Sequence, residues 1–522
     1  MNPRANALKK DIARLENEFG LMQATERDLV IQLETLQSSM HILRSHIDQL
    51  RSDCAPVGSL PNEILVAIFE ARPSKFEDRE GYAMGISQVS RLWRSIALST
   101  PSLWNSIRVD FLFAGEGQLS MLDLFIERSR KSPLDIVISL ERDEDDHNWH
   151  EFWEQTEKIF PLVSRWRTLL ILGQIRNDVF GALHDLDRSK APMLELFEVR
   201  IESPIEAQTA FDEPLLLFQG GAPRLAQIEI HEISIAACQP PLSSITSLRL
   251  HHPPHPYNIA QYRGILVAAN NLSDLQLFGN IINARELYAV ATSRTALIRI
   301  PSLRSLVISP SWSTGPFTLY SLLASLDTPA LEYLTLHCCP WQNHVSEFQE
   351  IFRNYGPPRY PLLRALTLRY ADFSQPVAIW FTSMLPSITC ISLIECKSSA
   401  RFFSLLAGNH RFTKVDKWAD NDTDSDNDTD DEYARKRNVI EEETALVEDE
   451  TNSVHLPHLL GICLLSIDIT GLLGLCDVIS QRASRGIPIA YLQFASTEVS
   501  HIPSDKLEWL RERVRVEVCE LK

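Results

Sequence analysis

The chain has 522 residues, 44% of them hydrophobic and 23% charged, so it is long enough for two or more globular domains. Its net charge of −18 and isoelectric point of about 5.3 exclude general binding to nucleic acid through phosphate neutralisation. Nine cysteines without a CxxC pair fit neither a zinc site nor a disulfide framework, and the charged N-terminus excludes a secretory signal, so we expect reduced thiols in the cytoplasm or nucleus.

Apolar residues recur every seven positions along the first fifty residues. Two interleaved series define one seam, in which twelve of thirteen positions are apolar and Glu26 is the exception. A heptad sustained this long predicts a coiled-coil helix over residues 1–53. Two partners for the seam stay open, namely a second copy, which would form a homodimer, and the same chain folded back on itself. The apolar seam positions are Leu8, Ile12, Leu15, Phe19, Met22, Leu29, Leu33, Leu36, Met40, Leu43, Ile47 and Leu50.

A short amphipathic helix is predicted to begin near residue 60. Leu60-Pro61 marks its start, because proline has no N–H to lose in a first helical turn, and the carboxylate of Glu63 suits the positive helix end. Apolar residues then recur at helical spacing and form one stripe. These residues are Ile64, Leu65, Ile68 and Phe69.

A second amphipathic stretch is predicted from Ile86 to Leu98, closed by Pro101. The polar residues 72–83, which include a proline and a glycine, predict a loop between the two stretches. The second stretch and the segment that follows it carry further apolar anchors: Val89, Trp93, Ile96, Ala97, Leu103 and Trp104.

The ordered series LPxEIL, IF, VSRLWR, A, TP and LW resembles an F-box, the small all-α module that docks on the Skp-type adaptor of cullin–RING ubiquitin ligases. Ser90 stands where many F-boxes have cysteine. The resemblance covers residues 55–110, and an ordinary helical hairpin capping the next domain is the alternative. It implies an adaptor-binding set of Leu60, Pro61, Glu63, Ile64, Leu65, Ile68, Phe69, Val89, Trp93, Leu103 and Trp104. The apolar helix ahead of it is similar, more loosely, to the expanded F-box families of mushroom-forming fungi.

Segments with Leu-x-x-Leu-x-Leu spacing recur from about residue 130, and their first anchors lie 20 to 32 residues apart. This period is typical of leucine-rich repeats, in which each unit is a short strand followed by a helix. The pattern predicts an irregular α/β solenoid over residues 130–415, with C-terminal repeats and a cap over 454–522. Early units are expected at PLDIVISL (133) and RTLLILG (167), and helices at 285–293 and 319–326. The first anchors are Leu194, Leu225, Ile245, Leu272, Leu303, Leu331, Leu363 and Ile388.

Residues between the anchors are expected on the open concave face, because side chains alternate along a strand. They mix charged, aromatic and hydroxyl groups, which suits recognition of a protein surface, although the solvated side of a sheet is the alternative. The resemblance to F-box proteins with leucine-rich repeats implies that the repeats hold a protein substrate. The predicted substrate-binding residues are Arg249, His251, Gln276, Phe278, Tyr333, His337 and Arg369, and Gln227, Glu229 and His231 are placed on the same face.

Three repeats place asparagine or cysteine three residues after the last anchor, where this repeat type satisfies loop backbone groups. These residues are Asn280, Cys339 and Cys396. The most apolar run, Leu456–Ile469, is short and is interrupted by Asp468, so it predicts core and not a membrane span.

An acidic insertion is predicted over residues 416–453. Residues 416–450 hold fifteen acidic and four basic side chains, a net charge of −11, which favours a disordered loop. Asp420, Asp422 and Asp424 imitate the start of a calcium-binding EF-hand loop, but Ser425 occupies the place of the turn glycine. The alternative is phosphorylation by acidophilic kinases at Thr423, Ser425 or Thr429, each of which has an acid three residues on.

Motifs of catalysis are absent from the sequence, which has no GxSxG elbow, P-loop, HExxH or kinase signature. His251, His252 and His255 cluster, but no cysteine or carboxylate nearby in sequence completes a set of metal ligands. We therefore expect a non-catalytic adaptor without metal or cofactor. The leading hypothesis is a substrate-receptor subunit of an SCF-type ligase. A scaffold that binds the adaptor without degradation, and a coiled-coil and solenoid tether, are the alternatives.

Overall fold

A computed structural model gives the fold in two compact units, residues 1–107 with 121–132, and residues 108–120 with 133–522. The structure describes residues 3–54, 56–71, 81–112, 116–141, 149–201, 214–283, 286, 297–310, 316–337, 360–371, 385–397, 399–407, 456–466 and 469–519. The predicted acidic insertion, Cys339 and nearly all of the predicted helix 285–293 lie outside these residues.

The first unit is helical. Its helices are α1 (Pro3–Cys54), α2 (Asn62–Glu70), α3 (Tyr82–Val89) and α4 (Arg91–Ser99), and most of α5 (Glu116–Ser129) also belongs to it. Short 3₁₀ turns occupy Pro56–Ser59 and Pro101–Trp104. The prediction of a long N-terminal helix followed by a small helical module is confirmed.

Helix α1 is continuous over 52 residues, which corresponds to about 78 Å at the helical rise of 1.5 Å per residue. The twelve apolar side chains of its seam are all exposed, from 43% at Ile47 to 66% at Leu43. No described part of the chain therefore covers the seam, and the alternative in which α1 folds back on its own chain is not observed.

The second amphipathic stretch is two helices, not the single one expected from Ile86 to Leu98. Ser90 leaves the helical conformation (φ −154°, ψ 167°) between α3 and α4, and its hydroxyl accepts a hydrogen bond from the Trp93 N–H at 3.1 Å. Serine side chains favour this capping role, because they satisfy one of the free N–H groups of a first helical turn. Helix α3 also begins at Tyr82, inside the loop predicted over 72–83.

Replacement of the cap, Ser90→Ala, is expected to weaken α4 by about 1 kcal/mol, the usual cost of losing a serine N-cap. Amide hydrogen exchange over residues 91–99 should then be about fivefold faster. Ser99→Ala is the matched control, since the Ser99 hydroxyl only donates to the Ile96 carbonyl within the same helix. Equal exchange rates in the two variants would contradict the capping role.

A sheet of fourteen strands is the main feature that the structure describes in the second unit. Its strands are β1 (Ser106–Asp110), β2 (Leu134–Leu140), β3 (Trp166–Gly173), β4 (Leu196–Ile201), β5 (Gln227–His231), β6 (Ser247–His251), β7 (Asp274–Phe278), β9 (Ser305–Ser309), β11 (Tyr333–His337), β12 (Ala365–Arg369), β13 (Cys390–Ile394), β14 (Gly461–Leu464), β15 (Tyr491–Ala495) and β16 (Arg515–Cys519). A separate parallel pair joins β8 (Ile298–Arg299) to β10 (Leu326–Asp327).

Strands of the large sheet follow one another in chain order, and neighbours from β2 to β16 run parallel. The eight predicted first anchors are each 0% exposed, because they enter the core in the turn before each strand. Along the strands that follow, leucine or isoleucine alternates with half-buried or exposed residues. This arrangement confirms the predicted α/β class with a solenoid-like stack of parallel strands.

Helices of the second unit lie between the strands in sequence. They are α6 (Trp149–Ile159), α7 (Arg176–His184), α8 (Ile259–Ala268), α9 (Pro316–Ser325), α10 (Ser399–Leu406), α11 (Ile469–Ser484), α12 (Ser496–Val499) and α13 (Ser504–Arg511). Helix α9 corresponds to the predicted helix at 319–326. Among the described residues no helix is both long and apolar enough to span a bilayer.

Side chains of the second unit also donate to backbone carbonyls in and beside the strands. The Cys396 thiol donates to the Leu368 carbonyl, which lies within β12, at 3.4 Å, whereas Asn280 is exposed. Near the C-terminus the buried guanidinium of Arg482 donates to the Leu456 and Leu459 carbonyls, at 3.1 and 3.3 Å. Arg482 thereby adds a side-chain donor to the turn before β14, where the Leu459 N–H already donates to the Leu456 carbonyl at 3.1 Å.

Candidate functional site

The helical unit has a compact aromatic core. Trp104 is fully buried, and its indole N–H donates to the Ala97 carbonyl at 2.8 Å. Its ring meets Phe125 at a centroid distance of 5.2 Å and lies under the Arg128 guanidinium at 4.3 Å. These contacts explain why a large polar-edged ring is tolerated in the interior of so small a module.

The predicted adaptor-binding set divides between this core and the surface. Four of its members are buried, Leu65, Phe69, Leu103 and Trp104, and Leu60 and Trp93 are half-buried. The rest are exposed: Pro61, Glu63, Ile64, Ile68 and Val89. Substitution of a buried member would act on a partner through the fold, so the exposed members are the ones that can touch a partner directly.

Exposed apolar side chains are the notable property of α2. Ile64 and Ile68 are each 48% exposed, one turn apart, whereas Leu65 and Phe69 face the interior. The Phe69 ring contacts Trp93 at a centroid distance of 4.7 Å, which holds α2 to α4. Helix α2 thus presents a second apolar edge that its own unit does not cover, as expected of a docking surface.

A second candidate surface is the face of the sheet opposite the buried anchors, which we call the open face. All seven predicted substrate-binding residues lie on it, at strand positions that alternate with buried leucines. The register sets Arg249 beside Gln276, His251 beside Phe278, and His337 beside Arg369. Strand pairing therefore brings residues far apart in sequence into two rows across the sheet.

The most closely packed part of the open face is a group we call the histidine cluster, composed of Glu229, His231, Arg249, His251 and Phe278. The His231 and His251 rings stack at 3.8 Å with 10° between their planes, and His251 stacks on Phe278 at 4.2 Å. Glu229 Oε1 lies 2.8 Å from His231 Nε2 and 3.6 Å from His251 Nε2. Glu229 Oε2 accepts a hydrogen bond from Arg249 Nη1 at 3.1 Å.

Electrostatics in the histidine cluster keep Glu229 charged and His251 neutral. Burial alone would raise the pKa of Glu229, but the hydrogen bond from His231 and the charge of Arg249 outweigh it and lower the pKa to about 2. Burial, followed by repulsion from His231, lowers the pKa of His251 to about 4. Near neutral pH the His251 ring therefore keeps a nitrogen lone pair available.

Titratable groups on two other strands of the open face also have shifted pKa values. On β4, burial and the neighbouring carboxylate of Glu229 raise the pKa of Glu198, and Arg200 opposes this effect. On β11, burial and then the charge of Arg369 lower the pKa of His337. Both His251 and His337 therefore favour the uncharged form, whereas Arg249 and Arg369 supply positive charge to this part of the open face.

Sequence reasoning missed the histidine cluster as a unit. It grouped His251 with His252 and His255 and found no carboxylate near them in sequence. The carboxylate comes from the neighbouring strand, because β5 and β6 pair Glu229 with Arg249 and His231 with His251. The available signal was the Glu-x-His spacing of β5 combined with its repeat register against β6.

Comparison with known proteins bears on the helical unit. Residues 57–110 match the F-box-like family model. No curated protein matches the chain. A crystal structure of a Bacteroides fragilis protein, a structural-genomics target, is 12% identical over 75% of this chain and 76% of that one, with a TM-score of 0.28, which is too low to bear on the fold. F-box domains in general bind Skp-type adaptors and serve ubiquitin ligases. Because of the family match, residues 57–110 of this chain are identified as an F-box-like domain.

Proposed function

We propose that this protein is a substrate-receptor subunit of an SCF-type cullin–RING ubiquitin ligase. The observation that carries the proposal is an F-box-like segment at residues 57–110, followed in the same chain by a parallel sheet with one exposed, chemically mixed face. The F-box-like segment would bind the Skp-type adaptor and, through it, the cullin. The open face would bind the protein to be ubiquitinated.

The adaptor contact would use the exposed apolar side chains of the helical unit. Ile64, Ile68 and Val89 keep about half or more of their surface free, which a hydrophobic groove on the adaptor would cover. Pro61 and Glu63, at the start of α2, would lie at the rim of the contact. The buried members of the predicted set would hold these side chains in place.

The chain would act without chemistry of its own. A receptor accelerates ubiquitin transfer by holding its target near the carrier enzyme, which raises the effective concentration of the reacting groups. This role needs no catalytic residue or cofactor, and it places the protein in the cytoplasm or nucleus, where these ligases work.

A second copy of the chain is the proposed partner of α1. Twelve exposed apolar side chains in heptad register would form a homodimer seam. A dimer would present two adaptor contacts and two open faces, so a target with two binding sites would gain from avidity. The same seam favours the tether hypothesis if the adaptor does not bind.

Co-purification separates receptor from scaffold. The full chain, mixed with the Skp-type adaptor and the matching cullin, is expected to elute with both, whereas Leu60→Ala with Pro61→Ala elutes alone. Elution with the adaptor but never with the cullin would favour the scaffold. No complex with a well-folded native chain would overturn the ligase assignment.

The open face is tested by capture of a target. Tyr333→Ala with Arg369→Ala removes two exposed side chains from β11 and β12 and should reduce recovery of ubiquitinated proteins at least about tenfold, as loss of two central contacts does elsewhere. Val267→Ala, at an exposed apolar position of α8, is the control. Unchanged recovery of ubiquitinated proteins in the double variant would show that the target does not bind to this part of the open face.

A further inference from the structure

The histidine cluster brings together three side chains with the donor atoms that bind transition metals. Glu229 Oε1, His231 Nε2 and His251 Nε2 lie within 4.8 Å of one another, and all three residues are half-buried. Two imidazoles and one carboxylate form a common ligand set for Zn²⁺ and other divalent transition metals, whereas Mg²⁺ and Ca²⁺ prefer oxygen alone. We propose that Glu229, His231 and His251 form a binding site for a divalent transition metal ion of the zinc class on the open face of the sheet.

Distances in the cluster fit one shared ion. With metal–ligand bonds of 2.0–2.2 Å, two ligand atoms of a tetrahedral zinc site stand about 3.3–3.6 Å apart. The contact of Glu229 Oε1 with His251, at 3.6 Å, has this length, and its hydrogen bond with His231, at 2.8 Å, would lengthen on binding. Binding requires the two stacked rings to tilt apart at their Nε2 edges, and the metal replaces the proton that His231 Nε2 donates to Glu229. That proton leaves to solvent or moves to Nδ1 of the same ring.

His251 gives an independent indication of a missing ligand. Its Nε2 is buried and has no hydrogen-bond partner, since Glu229 Oε1 is beyond hydrogen-bond distance at 3.6 Å. A buried polar atom without a partner is costly, and it is rare in native proteins unless water or an ion satisfies it. A metal ion between the rings and the carboxylate would supply that partner.

The surroundings are arranged as in the outer shell of a metal site. Arg249 donates to Glu229 Oε2, so it orients the carboxylate with its other oxygen, Oε1, directed toward His231 and His251. Phe278 stacks against the outer side of His251 and limits the directions in which that ring can turn. Three protein ligands leave one coordination position, which water or a donor atom of a bound protein can fill.

Metal binding to the full chain tests the site directly. The protein is stripped with EDTA, dialysed and titrated with Co²⁺, whose visible absorption reports tetrahedral coordination by nitrogen and oxygen. We expect one Co²⁺ per chain, displaced by one equivalent of Zn²⁺ and not by Mg²⁺. His231→Ala, His251→Ala and Glu229→Gln should each weaken binding at least about tenfold, since even loss of an outer-shell partner costs 10–100-fold.

Matched variants separate this site from other metal binding. His255→Ala removes a histidine outside the cluster and should bind as the native chain does, and Arg249→Ala should weaken binding less than loss of a ligand. Circular dichroism of each variant establishes that it is folded. A native chain that binds no Co²⁺, or cluster variants with native affinity, would overturn the proposal. The titration needs no adaptor, so its result is independent of the ligase role.

Discussion

A chain that carries Leu29→Lys together with Leu36→Lys is expected to be monomeric in solution, whereas the native chain is expected to be a dimer of twice 59.3 kDa. Both leucines lie on the α1 seam and are 58% and 59% exposed within one chain. In a dimer four of these side chains would be buried, two from each chain, and each would contribute about 1.5–3 kcal/mol to the free energy of association. Their loss should raise the dissociation constant by at least about four orders of magnitude.

Light scattering coupled to size-exclusion chromatography measures this change. Ile31→Lys with Ile42→Lys is the matched control, because these residues are 61% and 70% exposed on the same helix but lie off the seam. This control introduces the same charges and should remain dimeric. A native chain that stays at 59.3 kDa at all concentrations would contradict the homodimer, as would equal dissociation of the two variants.

Binding to the adaptor should be lost when Ile64→Asp and Ile68→Asp are combined. These side chains are half-exposed on α2, so aspartate at either position can reach solvent without disturbing the core formed by Leu65 and Phe69. In the complex, the change removes two apolar contacts of about 1.5–3 kcal/mol each and buries two carboxylates against an apolar groove. We expect affinity for the Skp-type adaptor to fall at least about a hundredfold, as measured by calorimetry.

The control for this prediction is Val267→Asp, which introduces one aspartate at an apolar position of α8 that is 62% exposed. It should bind the adaptor with native affinity. If the double variant keeps native affinity while folded, the adaptor uses another surface. If Val267→Asp also abolishes binding, the loss of affinity in the double variant reflects general unfolding and not the loss of a contact with the adaptor.

The repeat sheet could be predicted because its signal is local. Each anchor, such as Leu272 or Leu363, is followed by a short alternating strand, and stacking of these strands requires only that every unit repeat the pattern. The division of α2 into buried and exposed apolar residues was not predictable from its stripe. Helical spacing places all four apolar residues, Ile64, Leu65, Ile68 and Phe69, on one side of the helix. Packing against α4 decides that Leu65 and Phe69 are buried and that Ile64 and Ile68 stay exposed.

Two features depended on information that a pattern does not carry. The amphipathic pattern continues past Ser90 without interruption, but the Ser90 hydroxyl accepts a local hydrogen bond that caps the second of two separate helices. The histidine cluster depends on the register between β5 and β6, which sets Glu229 against Arg249 and His231 against His251. Distances between residues on different strands follow from the fold. A search for metal ligands that are close in sequence therefore finds ligands on different strands only by chance.

The order of the strands in the sheet has a consequence for how the second unit unfolds. Each strand pairs only with those immediately before and after it in the order of the sheet, so the stability of the stack is a sum of contributions from neighbouring repeats. The terminal strand β16 has one neighbour and can separate while the middle of the stack remains folded. Denaturation should therefore proceed in stages from the ends, and one melting temperature will not describe the protein.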